Sequence, residues 1–273
     1  MKQSSAVKSF INAPYLLWSV LFIIAPMIMV VYYAFTDRNG DWTLANITSL
    51  GAYSQTFIRS IWYAFVATLI CLVLDYPLAY IMSRSSISKQ RTIMMLVMLP
   101  MWMNFLIRTY SWITLLANTG IINTLLSKIG IGPLHMINTP GAVILGMIYN
   151  FLPFMVLPLF NVLTKIDENV LNAARDLGAN SAQVFFKVTL PLSLPGIISG
   201  VTMVFVPSLT TFAISDLLGA RKIMLIGNII EQEFSTADNW HLGSGLSLVL
   251  MVFILISMAV LEHYDKNGEG TSF

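Results

Sequence analysis

Charge, cysteine and catalytic motifs are all scarce in this chain, and each shortage removes a class of function. Only 10% of the 273 residues are charged while 56% are hydrophobic, and the mean hydropathy is +0.75. A water-soluble fold of that composition would expose more apolar surface than water tolerates, so the chain belongs in a bilayer. Cysteine occurs once, as Cys71, which excludes an intramolecular disulfide and reads as a small buried hydrophobe. A GxxxxGKS/T phosphate loop, HExxH, GxSxG and a CxxC pair are all missing, and His135, His241 and His263 are scattered. The chain therefore reads as no enzyme, with no metal site, no cofactor of its own and no nucleic-acid partner. An energy source, if one is needed, has to come from another chain.

What the sequence has instead is long apolar runs. A helix needs about 20 apolar residues to cross the hydrocarbon, and six stretches qualify: 15–35, 61–82, 93–116, 142–163, 194–217 and 246–261. The expectation is an all-α, polytopic membrane protein whose residues 1–273 form a single transmembrane domain. The first run is too long for a signal-peptide core and ends in no small-x-small cleavage site. Residues 36–59 read as a polar connection, 118–141 as a compact Gly- and Asn-rich one, 219–243 as a partly membrane-dipping segment and 265–273 as a disordered tail.

Basic residues near span ends favour the cytoplasmic side. With the N-terminus inside, Lys2, Lys8, Arg84, Lys89, Arg91, Lys165, Arg175, Lys187 and Lys266 fall on the inner face, against Arg38, Arg59, Arg108, Lys128, Arg221 and Lys222 outside, nine against six. Both termini are then cytoplasmic.

Polar groups inside the spans are the candidates for a pathway. Asp75 lies at membrane depth, where an unpaired carboxylate costs about 2.5–3.5 kcal/mol on insertion scales. It is read either as a polar contact towards Arg84 or as a station for a cation. Trp102 and Asn104 sit too deep in the third run to be interfacial and read either as packing or as pore lining. Arg108, Tyr110 and Trp112 read as an interfacial belt. Pro153 and Pro158 follow Asn150 in the fourth run, the mark of a kinked helix beside a cavity or a neighbour. Gly196 and Gly200 form a small-xxx-small pair for close helix packing.

One stretch, 167–190, is neither a span nor a plain loop. Asp167 suits a helix cap. Val170, Leu171, Ala174 and Leu177 recur at helical spacing, Gly178 offers a left-handed exit, and a second helix restarts at Asn180 or Ser181. By charge this elbow is cytoplasmic, and alone it would pass for an interfacial amphipathic helix.

Ala173, Ala174, Gly178, Val188, Leu190 and Pro191 reproduce the spacing of a signature, EAA, three residues, Gly, nine residues, Ile-x-Leu-Pro. In this it resembles the permeases of binding-protein-dependent ABC importers, with Asn172 where the family usually has Glu and Val188 where it usually has Ile. The resemblance implies a type I importer permease of the MetI-like fold in the bacterial inner membrane. It implies an elbow that docks in a partner ATPase dimer through Leu171, Asn172, Ala173, Ala174, Arg175, Asp176, Leu177, Gly178 and Phe185, with ATP and Mg used by that partner. A second homologous permease and an extracellular or periplasmic binding protein complete the implied assembly.

A finer similarity, to permease subunits of spermidine/putrescine importers, rests on three stretches. They are Pro100, Trp102, Asn104, Leu106, Ile107, Arg108 and Tyr110; the run LPFMVLPL from Leu152 to Leu159; and Ser215, Asp216 and Leu217 followed by Leu225, Ile226, Gly227 and Asn228. It implies a polyamine substrate, which needs carboxylates and aromatic faces, and Asp75, Trp102, Asn104, Tyr110, Tyr149 and Asp216 are the candidates for its pathway. Two alternatives stay open: a permease for a metal, an oxyanion or a phosphonate, and a self-sufficient channel or secondary transporter built on Asp75.

Overall fold

The computed structural model describes residues 14–269, with side chains up to residue 263, so Lys2, Lys8 and Lys266 in the charge count lie outside the described side chains. Its elements are helical, and among the described residues the one extended pairing is an isolated bridge between Thr36 and Trp42. Thirteen helices are named here in chain order: α1 (Pro14–Ala34), α2 (Ala45–Thr48), α3 (Leu50–Ser83), α4 (Ile87–Met98), α5 (Phe105–Leu116), α6 (Ile121–Lys128) and α7 (Pro140–Lys165). Then come α8 (Glu168–Asp176), α9 (Ser181–Leu192), α10 (Leu194–Thr210), α11 (Ala213–Gly219), α12 (Ile226–Ser235) and α13 (Trp240–Glu269).

Four helices are long and apolar enough to cross a membrane: α1, α3, α7 and the Trp240–His263 part of α13. The third expected span is bent within its length, and the fifth is bent where it begins, against the helix before it. Ile87–Trp102 meets Phe105–Lys128 at 92°, and Ser181–Leu192 meets Leu194–Thr210 at 62°, so six crossings require each bent pair to count as one. The first break follows from local chemistry. Leu99–Trp102 tightens into a 3-10 turn around Pro100, Met103 is extended, and the Asn104 side chain caps the new helix by accepting from the N–H groups of Leu106 (2.9 Å) and Ile107 (3.2 Å). The expected run to residue 217 likewise ends at Thr210, where extended Thr211 separates α10 from α11.

The other expected loops are also partly helical. α3 begins at Leu50, eleven residues ahead of the expected start at 61, α6 lies in 118–141 and α12 in 219–243. α13 continues to Glu269, beyond the start of the expected tail.

The chain divides into two compact units. The smaller comprises residues up to 54 with 229–253. There the Asn46 amide donates to the carbonyls of Tyr33, Ala34 and Thr36 (3.3, 3.2 and 2.8 Å), satisfying acceptors orphaned at the end of α1.

The larger unit, 55–228 with 254–273, carries two apolar clusters. One gathers Ala67, Leu116, Val143, Met147, Ile214 and Leu218; the other gathers Cys71, Tyr76, Ala79, Met155, Leu159 and Val204. The close approach expected at the glycine pair is present: a Cβ on Gly196 would stand 3.0 Å from the Pro158 carbonyl oxygen, and one on Gly200 would stand 2.6 Å from Met155 Sδ. Continuous α7, with Pro153 and Pro158 inside it, and glycine-faced α10 are thereby brought close together.

Candidate functional site: the elbow and the polar groups of the spans

The elbow forms as its residues dictate. The Asp167 carboxylate accepts from the Asn169 N–H at 2.9 Å and opens α8. Gly178 leaves it with φ +86°, the left-handed region that favours glycine. Asn180 and Gln183 then close a reciprocal capping box, each bond 2.9 Å, and α9 begins.

The nine expected contact residues divide between two surroundings. Leu171 is buried and Phe185 half-buried within this chain, and both are spent on its own packing. Asn172, Ala173, Arg175, Asp176, Leu177 and Gly178 are exposed, with Ala174 half-buried. Leu177 is 90% exposed at the turn, and Phe186, which the sequence did not single out, is 64% exposed. The apolar face expected from Val170, Leu171, Ala174 and Leu177 is thus split, because Leu177 follows the last helical residue and projects from the turn. Asn172 accepts a hydrogen bond from Arg175 Nη1 at 2.8 Å.

Behind the elbow stands a group that no sequence spacing joins. Phe185 meets Tyr76 and Tyr80 edge-on, with ring centroids 5.6 and 5.8 Å apart. The Tyr76 hydroxyl shares a 2.8 Å hydrogen bond with Ser193 Oγ, and Arg84 reaches Glu168 at 3.8 Å while lying 5.9 Å from the Tyr80 ring. The foot of α3 is thereby tied to both helices of the elbow. Arg84 belongs to the elbow in this way and is no partner of Asp75.

No hydrogen bond or ring contact joins any two of the six pathway candidates. Asp75 is fully buried, and neither carboxylate oxygen has a hydrogen-bond partner among the described residues. Trp102 is 84% exposed, Asn104 serves as the cap of α5, and Tyr110 is exposed on the same helix. Tyr149 lies under Arg108, whose guanidinium carbon is 5.6 Å from the ring, and edge-on to Trp112 at 5.3 Å. Arg108 is itself buried: it donates from Nη1 to the Pro100 carbonyl at 2.8 Å, so it does not reach headgroups as an interfacial belt residue would. The reason is the bend, which offers it a carbonyl at short range.

Asp216 has its partner in this chain. Its Oδ1 accepts from Asn228 Nδ2 at 2.8 Å. Asn228 also donates to the Phe212 carbonyl and accepts from Ser215 Oγ (2.6 Å) and the Leu225 N–H (2.9 Å), all while buried. The signal available in the sequence was a lone amide inside an apolar stretch, which must find partners when buried. Among the described residues no group of His, Cys, Asp or Glu could hold a metal ion.

Comparison with known proteins agrees with this architecture. Residues 75–267 match the family model described as binding-protein-dependent transport system inner membrane component. The spermidine/putrescine transport system permease protein PotB of Haemophilus influenzae is 40% identical over 260 residues, covering 92% of this chain and 90% of that protein. PotB of Escherichia coli K12 is 36% identical over 89% of this chain and 92% of its own length. Among solved structures, a bacterial ABC transporter involved in the import of the acidic polysaccharide alginate aligns with a TM-score of 0.77 at 19% identity, covering 96% of this chain and 95% of that one. The MetNI methionine ABC transporter aligns with a TM-score of 0.52 at 20% identity over 81% of this chain and 96% of that one. At those identities the two structures bear on the fold alone.

Proposed function

This chain belongs to the inner membrane components of binding-protein-dependent transport systems, and on that footing we infer that it is a permease subunit of an ATP-driven polyamine importer. The observation that carries the substrate class is the 40% and 36% identity, over about nine-tenths of the chain, to two proteins named for spermidine and putrescine. The alternatives of a metal, oxyanion or phosphonate permease lack such support.

The mechanism follows from the elbow. An exposed turn with Leu177 at its tip, small residues on either side and Arg175 and Asp176 at the rim suits insertion into a cleft of an ATPase dimer. Closure of that dimer on ATP and Mg would move the elbow, and the Phe185, Tyr76 and Tyr80 contacts would carry the movement into α3 and so to the pore. A second homologous permease supplies the other half of the pathway and a polyamine-binding protein delivers substrate from outside. The termini and the elbow are cytoplasmic in this reading, as the distribution of basic residues favours.

Asp75, Asp216 and the aromatic groups Trp102, Tyr110 and Tyr149 stay the candidates for contact with an ammonium-bearing chain. None of them contacts another in this chain, and the second permease would supply the facing wall of a pathway built from them. Cells deleted for this chain should lose uptake of labelled spermidine and regain it with the gene restored. Unchanged uptake in the deletion strain would remove the polyamine assignment.

A further inference from the structure

Within the smaller unit, where α1 ends and α13 begins, a cavity of about 560 Å³ opens among Met29, Tyr33, Arg38, Asp238, Trp240 and His241. Both helices are long and apolar enough to span a membrane, and the cavity lies at their ends, where a bilayer crossed by them would present its headgroups. Its aromatic wall is fixed. His241 Nδ1 is hydrogen-bonded to the Thr36 carbonyl at 2.7 Å, Tyr33 stands edge-on to His241 at 5.1 Å, and the Tyr33 and Trp240 centroids are 6.2 Å apart. The Trp240 indole N–H donates to Asp238 Oδ1 at 2.9 Å, which holds the carboxylate beside the ring and leaves Oδ2 for another donor.

The charge pattern selects the ligand. Arg38 and Asp238 line one cavity, both exposed, without forming a salt bridge to each other. A purely cationic ligand would meet Arg38, and a purely anionic one would meet Asp238. A ligand carrying a phosphate and a primary ammonium a few bonds apart satisfies both, with the ammonium also facing aromatic rings. Met29 lies deeper along α1, beside Ile28, which is 62% exposed, so an apolar tail has a surface to follow towards the membrane interior. We propose that this cavity holds the headgroup of a zwitterionic aminophospholipid of the surrounding bilayer, phosphate at Arg38 and ammonium at Asp238. The site is independent of what the chain transports.

The test uses the full-length chain, with whatever subunits co-purify, in nanodiscs of phosphatidylethanolamine, phosphatidylglycerol and phosphatidylcholine in equal parts. Lipid retained after detergent exchange is identified by mass spectrometry. Phosphatidylethanolamine should be retained about tenfold over either competitor. Asp238→Asn should remove the discrimination against phosphatidylglycerol, and Arg38→Gln should lower retention of all three, with unchanged melting temperatures in both variants. Retention in bulk proportion, preference for phosphatidylglycerol in the unsubstituted chain, variants indistinguishable from it, or binding of free spermidine without lipid enrichment would each overturn the assignment.

Discussion

The ring of Phe185 meets that of Tyr80 edge-on at 5.8 Å, and this contact fastens the elbow to the foot of α3. Tyr76 closes on the same ring from the preceding turn at 5.6 Å and holds Ser193, at the root of α10, through its hydroxyl. The elbow is therefore anchored to two spans by packing. The Arg84–Glu168 pair adds little beside it, since Glu168 is 79% exposed and such pairs contribute about 0–1 kcal/mol.

Phe185→Ala should therefore destabilise the chain. A buried Phe→Ala change costs about 3–5 kcal/mol, and a half-buried ring should give about 2 kcal/mol. A thermal melt of the purified chain checks this, with Glu168→Ala as a control expected to shift the midpoint hardly at all.

Leu177→Ser should spare the fold and weaken docking. Its side chain is 90% exposed, so stability should stay within about 0.5 kcal/mol of the unsubstituted chain. Co-purification of the ATPase should fall sharply. Retained ATPase would show that the turn is not the docking surface.

Asn228→Ala should be costly at a site far along the sequence from the elbow. It orphans Asp216 Oδ1 and the Leu225 N–H, and takes one hydrogen bond each from the Ser215 hydroxyl and the Phe212 carbonyl, which stay bonded to each other. At about 1 kcal/mol for each bond, the loss should reach about 3–4 kcal/mol, read as a lower melting midpoint.

Asp75→Asn should leave the fold intact or firmer, because it removes a carboxylate with no partner from a fully buried position. If Asp75 meets an ammonium group during transport, uptake should fall while the melting midpoint holds or rises. Undiminished uptake would take Asp75 out of the pathway.

Asn172→Glu asks whether the signature position needs charge. The amide already engages Arg175 at 2.8 Å, and a carboxylate there would strengthen that contact. ATP-linked uptake should rise if coupling draws on the charge; an unchanged rate would mean that shape at the elbow suffices.

How much of this was legible beforehand depends on the range of the interactions. The elbow was, because Asp167, Gly178 and Asn180 act on their own neighbours along the chain. The straight spans were, because apolar length is a local property. The bend at Asn104 was not, since an amide in a greasy run reads equally as pore lining until its cap geometry is known. Nor was the joining of Phe185 to Tyr76, or Asn228 to Asp216. Those pairs are set by how α3, α9, α11 and α12 come together, and no spacing rule encodes that. Leu171 and Leu177 show the same limit within one helix: period alone could not tell which leucine faces the chain and which faces away.

ATP-dependent uptake of labelled spermidine into proteoliposomes containing this chain with its co-purified ATPase, second permease and binding protein tests the central claim most directly. Uptake should require both ATP on the elbow side and the presence of this chain, and it should cease when the ATPase is omitted. Spermidine entry that proceeds without ATP or ATPase would contradict the importer account and restore the self-sufficient channel.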